Sequence, residues 1–139
     1  MAANLEMIGF EYPASDPLQI TVKDIQNFCL AIGDTVPEYA KVLAAPPTYA
    51  IALVMQAMTH AMNDARLNLN YARVVHAEQR FEHTRSLVSG DLITVTLTIS
   101  DIKNRMGNDF VTFVARISDA KEKLVTTSTS VLVARSEQQ

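Results

Sequence analysis

The sequence contains one cysteine and no tryptophan, and neither sign of charge is in large excess. Because Cys29 has no partner within the chain, an intramolecular disulfide is excluded. The 15 acidic and 12 basic residues give a net charge of −3. Such a chain lacks the basic surface typical of nucleic-acid-binding proteins and the polybasic cluster that binds anionic membranes. We therefore expect neither nucleic acid nor a membrane as a partner.

Long apolar runs and leader-like segments are also missing. No segment offers the roughly 20 consecutive apolar residues of a membrane-spanning helix. The first residues do not combine a basic start with an apolar run and a cleavage site. The length of 139 residues is typical of one domain. We expect a cytoplasmic protein with a single domain over residues 1–139.

Residues 48–63, TYAIALVMQAMTHAMN, are apolar on nearly every side and carry no charged side chain. The segment follows Pro46 and Pro47, which cannot continue an upstream helix. A helix that is apolar all round has to be buried. We predict that this segment is the central helix of the fold and that the rest of the chain wraps around it.

An earlier helix is predicted over residues 22–32, preceded by an extended arm over residues 1–16. Thr21 and Asp24 form a capping-box pattern at its start, and Gly33 suits the left-handed residue that ends a helix. Residues 36–45 are expected to form a short connection to the central helix.

After residue 70 the apolar period changes from that of a helix to that of strands. Alternating apolar residues predict strands over 92–102, 111–117 and 123–134, and a less regular segment predicts another over 72–85. The loop 104–108 joins the first two of these as a hairpin. We predict an α+β fold in which four antiparallel strands form a meander that curls around one helix. The exposed edges of such a sheet favour a dimer.

Three stretches, taken in order, resemble one known family. The first is residues 30–39, LAIGDTVPEY, which is similar to the signature A-x-x-G-D-x-N-P-x-H. The second is residues 45–49, APPTY. The third is residues 73–91, which contain in order a His, a Gln, a Phe, a His and a Gly-Asp pair. Together they resemble the MaoC-like hot-dog family of (R)-specific enoyl-thioester hydratases and 3-hydroxyacyl-thioester dehydratases, in its N-terminal, FAS1-like dehydratase branch. The resemblance implies a hot-dog fold, in which a strongly twisted antiparallel sheet wraps a long central helix.

The resemblance implies specific catalytic roles. In catalytic members an Asp and a His hold one water, and a backbone amide near the start of the central helix binds the thioester oxygen. Asp34 matches the Asp, although without the motif it would be interpreted as a turn residue. Tyr39 stands in the place of the His, and a tyrosine with a pKa near 10 is a poor general base. His60 would rebuild the pair if it faced Asp34. Such substitutions are typical of the non-catalytic half of a two-part dehydratase.

The expected substrate-binding residues lie in the second and third stretches. Pro47, Thr48 and Tyr49 would border the thioester at the start of the central helix, where catalytic members have a glycine. His76 and His83 are seven residues apart on a predicted strand, so we expect them on opposite faces, near a subunit interface and unable to share a metal.

Two arginines complete the expected set. Arg80 and Arg85 are either solvated charges or partners for the phosphates of coenzyme A or an acyl carrier protein. We expect no metal and no cofactor. The expected partners are an acyl-CoA or acyl-carrier thioester and a second hot-dog subunit, in a homodimer or a heterodimer.

Three other functions remain open from the residues alone. A hot-dog thioesterase would use a carboxylate to direct water at the thioester carbonyl. A carrier or regulator on the same fold would bind acyl ligands without turnover. A cystatin-like helix-plus-sheet domain would only mediate association.

Overall fold

A computed structural model describes residues 2–34 and 44–136 of the chain. Two α-helices precede most of the sheet: α1, Val22–Ile32, and α2, Ala50–Met62. The strands are β1, Leu18–Gln19; β2, Val74–His83; β3, Leu92–Arg105; β4, Asn108–Ser118; and β5, Leu124–Ala134. They form one antiparallel sheet in the order β1-β3-β4-β5-β2, curled around α2 as the α+β prediction required.

The predicted start and end of α1 are confirmed. The Thr21 side chain accepts from the Asp24 amide while Asp24 accepts from the Thr21 amide, so both partners of the capping box are present. Gly33 ends the helix with φ of 69°, a conformation that costs glycine little because it has no Cβ. The amide of Asp34 then donates to the carbonyl of Cys29 over 2.9 Å, closing the last turn.

The central helix forms where it was predicted, but it is not buried on every side. Leu53, Val54 and Met58 are at most 5% exposed and pack into the core. Met55 is 37% exposed on the opposite face. The prediction of burial all round was therefore wrong for the chain by itself, because the curled sheet covers only one face of the helix. The exposed residues of that opposite face are Ala52, Met55, Gln56, Thr59 and His60.

Strands β3, β4 and β5 confirm the predicted alternation. Ile93, Val95, Leu97 and Ile99 are buried in β3, and the intervening threonines are partly exposed. The predicted loop at 104–108 is tighter than expected, because Arg105 pairs with Asn108 and only two residues turn the chain. Both turn residues have positive φ, as a type I′ turn requires.

The predicted four-strand meander is wrong at β2. Only β3, β4 and β5 are neighbours in sequence order, whereas β2 pairs with β5 at the far edge of the sheet. The chain from 84 to 91 therefore crosses between opposite edges instead of forming a hairpin. Because the sheet is curled, its two edges lie closer together than in a flat sheet, and a short crossover can connect them. No described segment pairs with the outer side of β2.

The N-terminal arm, residues 2–19, covers the other edge of the sheet. The amides of Gly9, Tyr12 and Ser15 donate to carbonyls of β3 over 2.7, 2.8 and 2.9 Å. The arm ends in β1, which pairs with the start of β3. The expected extended arm is confirmed from Gly9 onwards, whereas Leu5–Met7 form a 3-10 helix. The extended part satisfies an edge that would otherwise be open. In the parts of the chain that the structure describes, neither helix has the length and apolar character needed to cross a bilayer.

Candidate functional site

The entrance of α2, residues 46–49, is a short 3-10 turn held against α1. Tyr49 is buried, and its ring meets the ring of Phe28 edge to face at 5.4 Å between centroids. Burial, followed by the negative charge of Asp24, raises the pKa of the Tyr49 hydroxyl. The Tyr49 amide donates to the carbonyl of Pro46 over 2.9 Å. Thr48 is exposed beside it.

Asp34 lies immediately after α1, half-buried, where the resemblance places a catalytic carboxylate. Burial, followed by the charge of Asp34, raises the pKa of the nearby Cys29 thiol. Tyr39, the residue expected in place of the catalytic His, lies outside the described residues, as do most of the predicted residues 36–45 of the connection.

His83 joins β2 to the entrance of α2. Its Nε2 lies 2.9 Å from the carbonyl oxygen of Pro47, and its Nδ1 lies 2.8 Å from the hydroxyl of Thr126 on β5. Because a carbonyl oxygen only accepts, Nε2 must carry the proton, and in the neutral ring Nδ1 accepts from Thr126. The ring also stacks on Phe81 at 5.9 Å. Both ring nitrogens of His83 are therefore used to hold the fold together.

His76 lies on the same face of β2 as His83, contrary to prediction. A bulge between His76 and Glu78 adds one residue to the strand and resets its alternation. His76 consequently pairs with Leu132 and His83 with Thr126, and these two β5 residues share the inner face of the sheet. The Nε2 of His76 lies 3.1 Å from the amide oxygen of Gln79.

Gln79 connects His76 to a row of buried hydroxyls on β5. Its nitrogen donates to the Ser128 hydroxyl over 2.7 Å, and its oxygen accepts from Ser130 over 2.6 Å. Ser128 and Ser130 are at most 1% exposed, so these bonds replace water that both hydroxyls have lost. The unbroken run of hydroxyl residues at 126–130 was the sequence signal for this polar row.

The two arginines take different positions. Arg80 is exposed on the outer face of β2, opposite Thr129, and points away from the row of hydroxyls. Arg85 makes two hydrogen bonds to the carboxylate of Asp91, at 2.8 and 3.2 Å, and lies 3.5 Å from Asp119. Hydrogen bonding to Asp91 raises the pKa of Arg85. Arg85 therefore joins two turns, and a structural role accounts for its contacts.

A cavity of about 530 Å³ lies between α2, β3 and the N-terminal arm. Its volume falls within the range of about 300–1,000 Å³ that is usual for ligand sites. Leu53, Gln56, Ala57 and His60 contribute the helix wall. The other lining residues are Tyr12, Pro13, Ala14, Ser15, Asp16, Pro17 and Leu18 of the arm, with Ile93, Val95 and Leu97 of β3.

A cluster of four residues fixes the arm over this cavity. The hydroxyl of Tyr12 donates to Asp64 over 2.9 Å, and Arg66 binds the same carboxylate through two nitrogens at 3.0 and 2.8 Å. The guanidinium of Arg66 also lies over the ring of Phe10. The hydrogen bond from Arg66 lowers the pKa of Asp64 to about 2, while burial and then the bond to Asp64 raise the pKa of Tyr12. We call these four residues the arm clasp.

The structure thus separates several residues that the sequence grouped as one site. His60 lines the cavity, and Asp34 is not among the lining residues. Pro47 and His83 are in contact, whereas Arg80 and Arg85 lie elsewhere.

Sequence reasoning missed the cavity, because its walls come from segments that are far apart in the chain. Within the described ranges, no three His, Cys, Asp or Glu side chains cluster as a metal site.

Comparisons with known proteins agree with this geometry. A family model described as "FAS1-like, dehydratase domain region" matches residues 6–128. A UPF0336 protein of Streptomyces avermitilis is 39% identical over 145 aligned residues, which cover 97% of each chain.

Among solved structures, a MaoC-like dehydratase superposes with a TM-score of 0.86 and 20% identity over 97% of this chain, which spans 44% of that protein. The HadBC (3R)-hydroxyacyl-ACP dehydratase complex of Mycobacterium tuberculosis gives a TM-score of 0.77 and 20% identity over 91% of this chain and 96% of that chain. These structural matches show a hot-dog fold. The family match and the UPF0336 relative establish that the chain belongs to the FAS1-like dehydratase-region family.

Proposed function

We propose that the chain is the substrate-binding subunit of a two-part enzyme for (3R)-hydroxyacyl-thioester dehydration or enoyl-thioester hydration. In this proposal it binds the acyl part of a CoA or carrier-protein thioester, and a second hot-dog subunit supplies the complete Asp and His pair. The observation that carries the proposal is the geometry at the entrance of α2, where Pro47 has no N–H and its carbonyl accepts from His83.

Two of the three residues of the entrance turn, Pro47 and Tyr49, offer no free amide to an oxyanion. A thioester oxygen that gains negative charge needs amide donors aimed at it. Pro47 has no N–H, and the Tyr49 amide donates to Pro46. The Pro47 carbonyl accepts from His83, so the polar group that Pro47 contributes here is an acceptor, already satisfied within the fold.

The described histidines have other contacts or line the cavity. His83 uses both ring nitrogens on Pro47 and Thr126, His76 bonds to Gln79, and His60 faces the cavity. A hydration catalyst has to hold a water against the β-carbon with a base within hydrogen-bond reach. In this proposal Asp34 is one carboxylate of this chain, and the second subunit supplies the complete catalytic pair.

The cavity and the free edge of β2 support binding and assembly. The cavity floor is apolar, formed by Leu53, Ala57 and three β3 residues, and runs beside α2. That lining suits an acyl chain, because burying apolar surface favours binding by about 25 cal/mol per Å². The outer side of β2 is available to pair with a second hot-dog sheet. HadBC, which this chain resembles in fold, is itself a complex.

The test is hydration of crotonyl-CoA, measured by loss of the enoyl-thioester absorbance. The purified chain is assayed alone and mixed with hot-dog proteins that carry the complete D-x-N-P-x-H motif. We expect negligible turnover alone and robust turnover in one mixture, with free thiol absent throughout. The matched control is Asp34→Asn in the same mixture.

The outcomes separate the alternatives. Robust turnover by the chain alone that Asp34→Asn abolishes would contradict the proposed subunit role. Release of free thiol would identify a thioesterase instead. Binding of acyl-CoA with no turnover in any mixture would favour a carrier or regulator.

A further inference from the structure

The cavity under the N-terminal arm contains three polar side chains with no assigned task. Asp16, Gln56 and His60 line it, and none of them has a hydrogen bond or ion pair to another described residue. The remaining polar lining groups are already engaged, because Tyr12 donates to Asp64 and the Ser15 hydroxyl accepts from the Val95 amide over 2.8 Å.

Helix geometry arranges the cavity wall as two parallel stripes. Gln56 and His60 are four residues apart and lie one above the other, and Leu53 and Ala57 form the neighbouring apolar pair. A rise of about 1.5 Å per residue places Gln56 roughly 10 Å beyond Tyr49 along the helix axis. The polar stripe is therefore well separated from the entrance where the proposed function places the thioester.

The charge of the cavity restricts what binds there. Among the described residues that line it, Asp16 is the only charged acid or base at neutral pH apart from His60, and none is a lysine or arginine that would balance a ligand's negative charge. A phosphate or a free carboxylate beside Asp16 would be repelled, since like charges disfavour one another. The amide of Gln56 and the imidazole of His60 both donate and accept hydrogen bonds to neutral oxygen groups.

We infer that Asp16, Gln56 and His60 recognise a hydroxyl or keto group carried by the acyl chain at a distance from the thioester. This inference rests on the proposed function and deepens it, because it assigns the substrate class as oxygen-bearing long acyl chains. An acyl chain without such a group contacts the apolar stripe but makes no hydrogen bond to the polar stripe of Gln56 and His60. The pantetheine arm is a poorer occupant, because it leads to phosphates that Asp16 repels.

The test compares three ligands on the full chain by isothermal titration: stearoyl-CoA, a hydroxystearoyl-CoA with its hydroxyl near mid-chain, and CoA alone. We expect the hydroxylated probe to bind about threefold to tenfold more tightly than stearoyl-CoA, the effect of one or two net hydrogen bonds. Gln56→Leu and His60→Leu, singly and together, bring this ratio towards one. Thr59→Val, on the exposed side of the same helix and outside the lining, leaves the ratio unchanged.

Each outcome decides between the proposals. Equal binding of the two acyl probes, or a preference that survives the double substitution, overturns the inference and leaves the proposed function standing. Equal weakening of CoA and both acyl probes by the double substitution identifies pantetheine as the occupant and also overturns it. Failure of both acyl probes to bind overturns the proposed function and the inference together.

Discussion

His83 illustrates how a residue that resembles part of a substrate site in the sequence acts in the fold. Replacing it by alanine removes its bonds to Pro47 and Thr126 and leaves the Thr126 hydroxyl, 0% exposed, without this partner. An unsatisfied buried polar group costs about 1–3 kcal/mol. We predict that His83→Ala lowers the free energy of unfolding by about that amount in urea denaturation.

The matched control is His76→Ala on the same face of β2. Its one described hydrogen bond, to Gln79, is exposed, so we expect a change within about 0.5 kcal/mol. Equal losses for the two variants would show that the contact between His83 and the entrance of α2 contributes little.

The residues of the candidate site could be foreseen only in part. The motif pointed to Asp34, and its position after Gly33 is as expected. The common face of His76 and His83 could not be foreseen, because one bulged residue reverses every later side chain and leaves no clear pattern in the sequence. The place of Gln56 in the cavity could not be foreseen from the sequence, since it depends on the arm that lies opposite the helix.

At the scale of elements, the exposed face of α2 leads to a clear prediction about its methionines. Met58 is 0% exposed and Met55 is 37% exposed, although the sequence made both part of one apolar helix. Met58→Ala leaves a cavity in the core, for which about 2–5 kcal/mol is typical. We predict a loss of that size in the free energy of unfolding for Met58→Ala and less than about 1 kcal/mol for Met55→Ala, measured by urea denaturation.

A second subunit on the exposed face would change this contrast. If both substitutions cost the same in a sample that is assembled, the outer face of α2 is buried between subunits. Repeating the measurement below the concentration at which the assembly dissociates would then restore the difference, because stability coupled to association depends on concentration.

The boundaries of elements were more predictable than their arrangement. Alternation located β3, β4 and β5 because one face of each meets the core and the other does not. The partner of β2 was not predictable in the same way, because pairing is decided by the curvature of the whole sheet. The sequence predicted that β2 and β3 are neighbours in a meander. In the structure the chain between them, which includes Ser89 to Asp91, crosses to the opposite edge of the sheet.

At the scale of the whole molecule, the two edges of the sheet differ in whether another described segment pairs with them. The arm satisfies the edge of β3 through backbone hydrogen bonds along its length, whereas the outer side of β2 has no described partner. A sheet with one available edge pairs once, by twofold symmetry, and closes as a dimer. A sheet with two available edges continues to add chains.

Removal of residues 1–17 tests this reasoning, because it uncovers the carbonyls of Val95, Leu97 and Ile99 on β3. We predict that the full chain gives one finite mass of two chains in light scattering coupled to size exclusion. The truncated chain should give larger masses that grow with concentration, since an uncovered edge pairs with other edges. Tyr12→Phe is the control, because it removes one bond of the arm clasp and keeps the backbone pairing, so its mass should equal that of the full chain. A truncated chain that kept the same finite mass would show that the arm serves the cavity and not the edge.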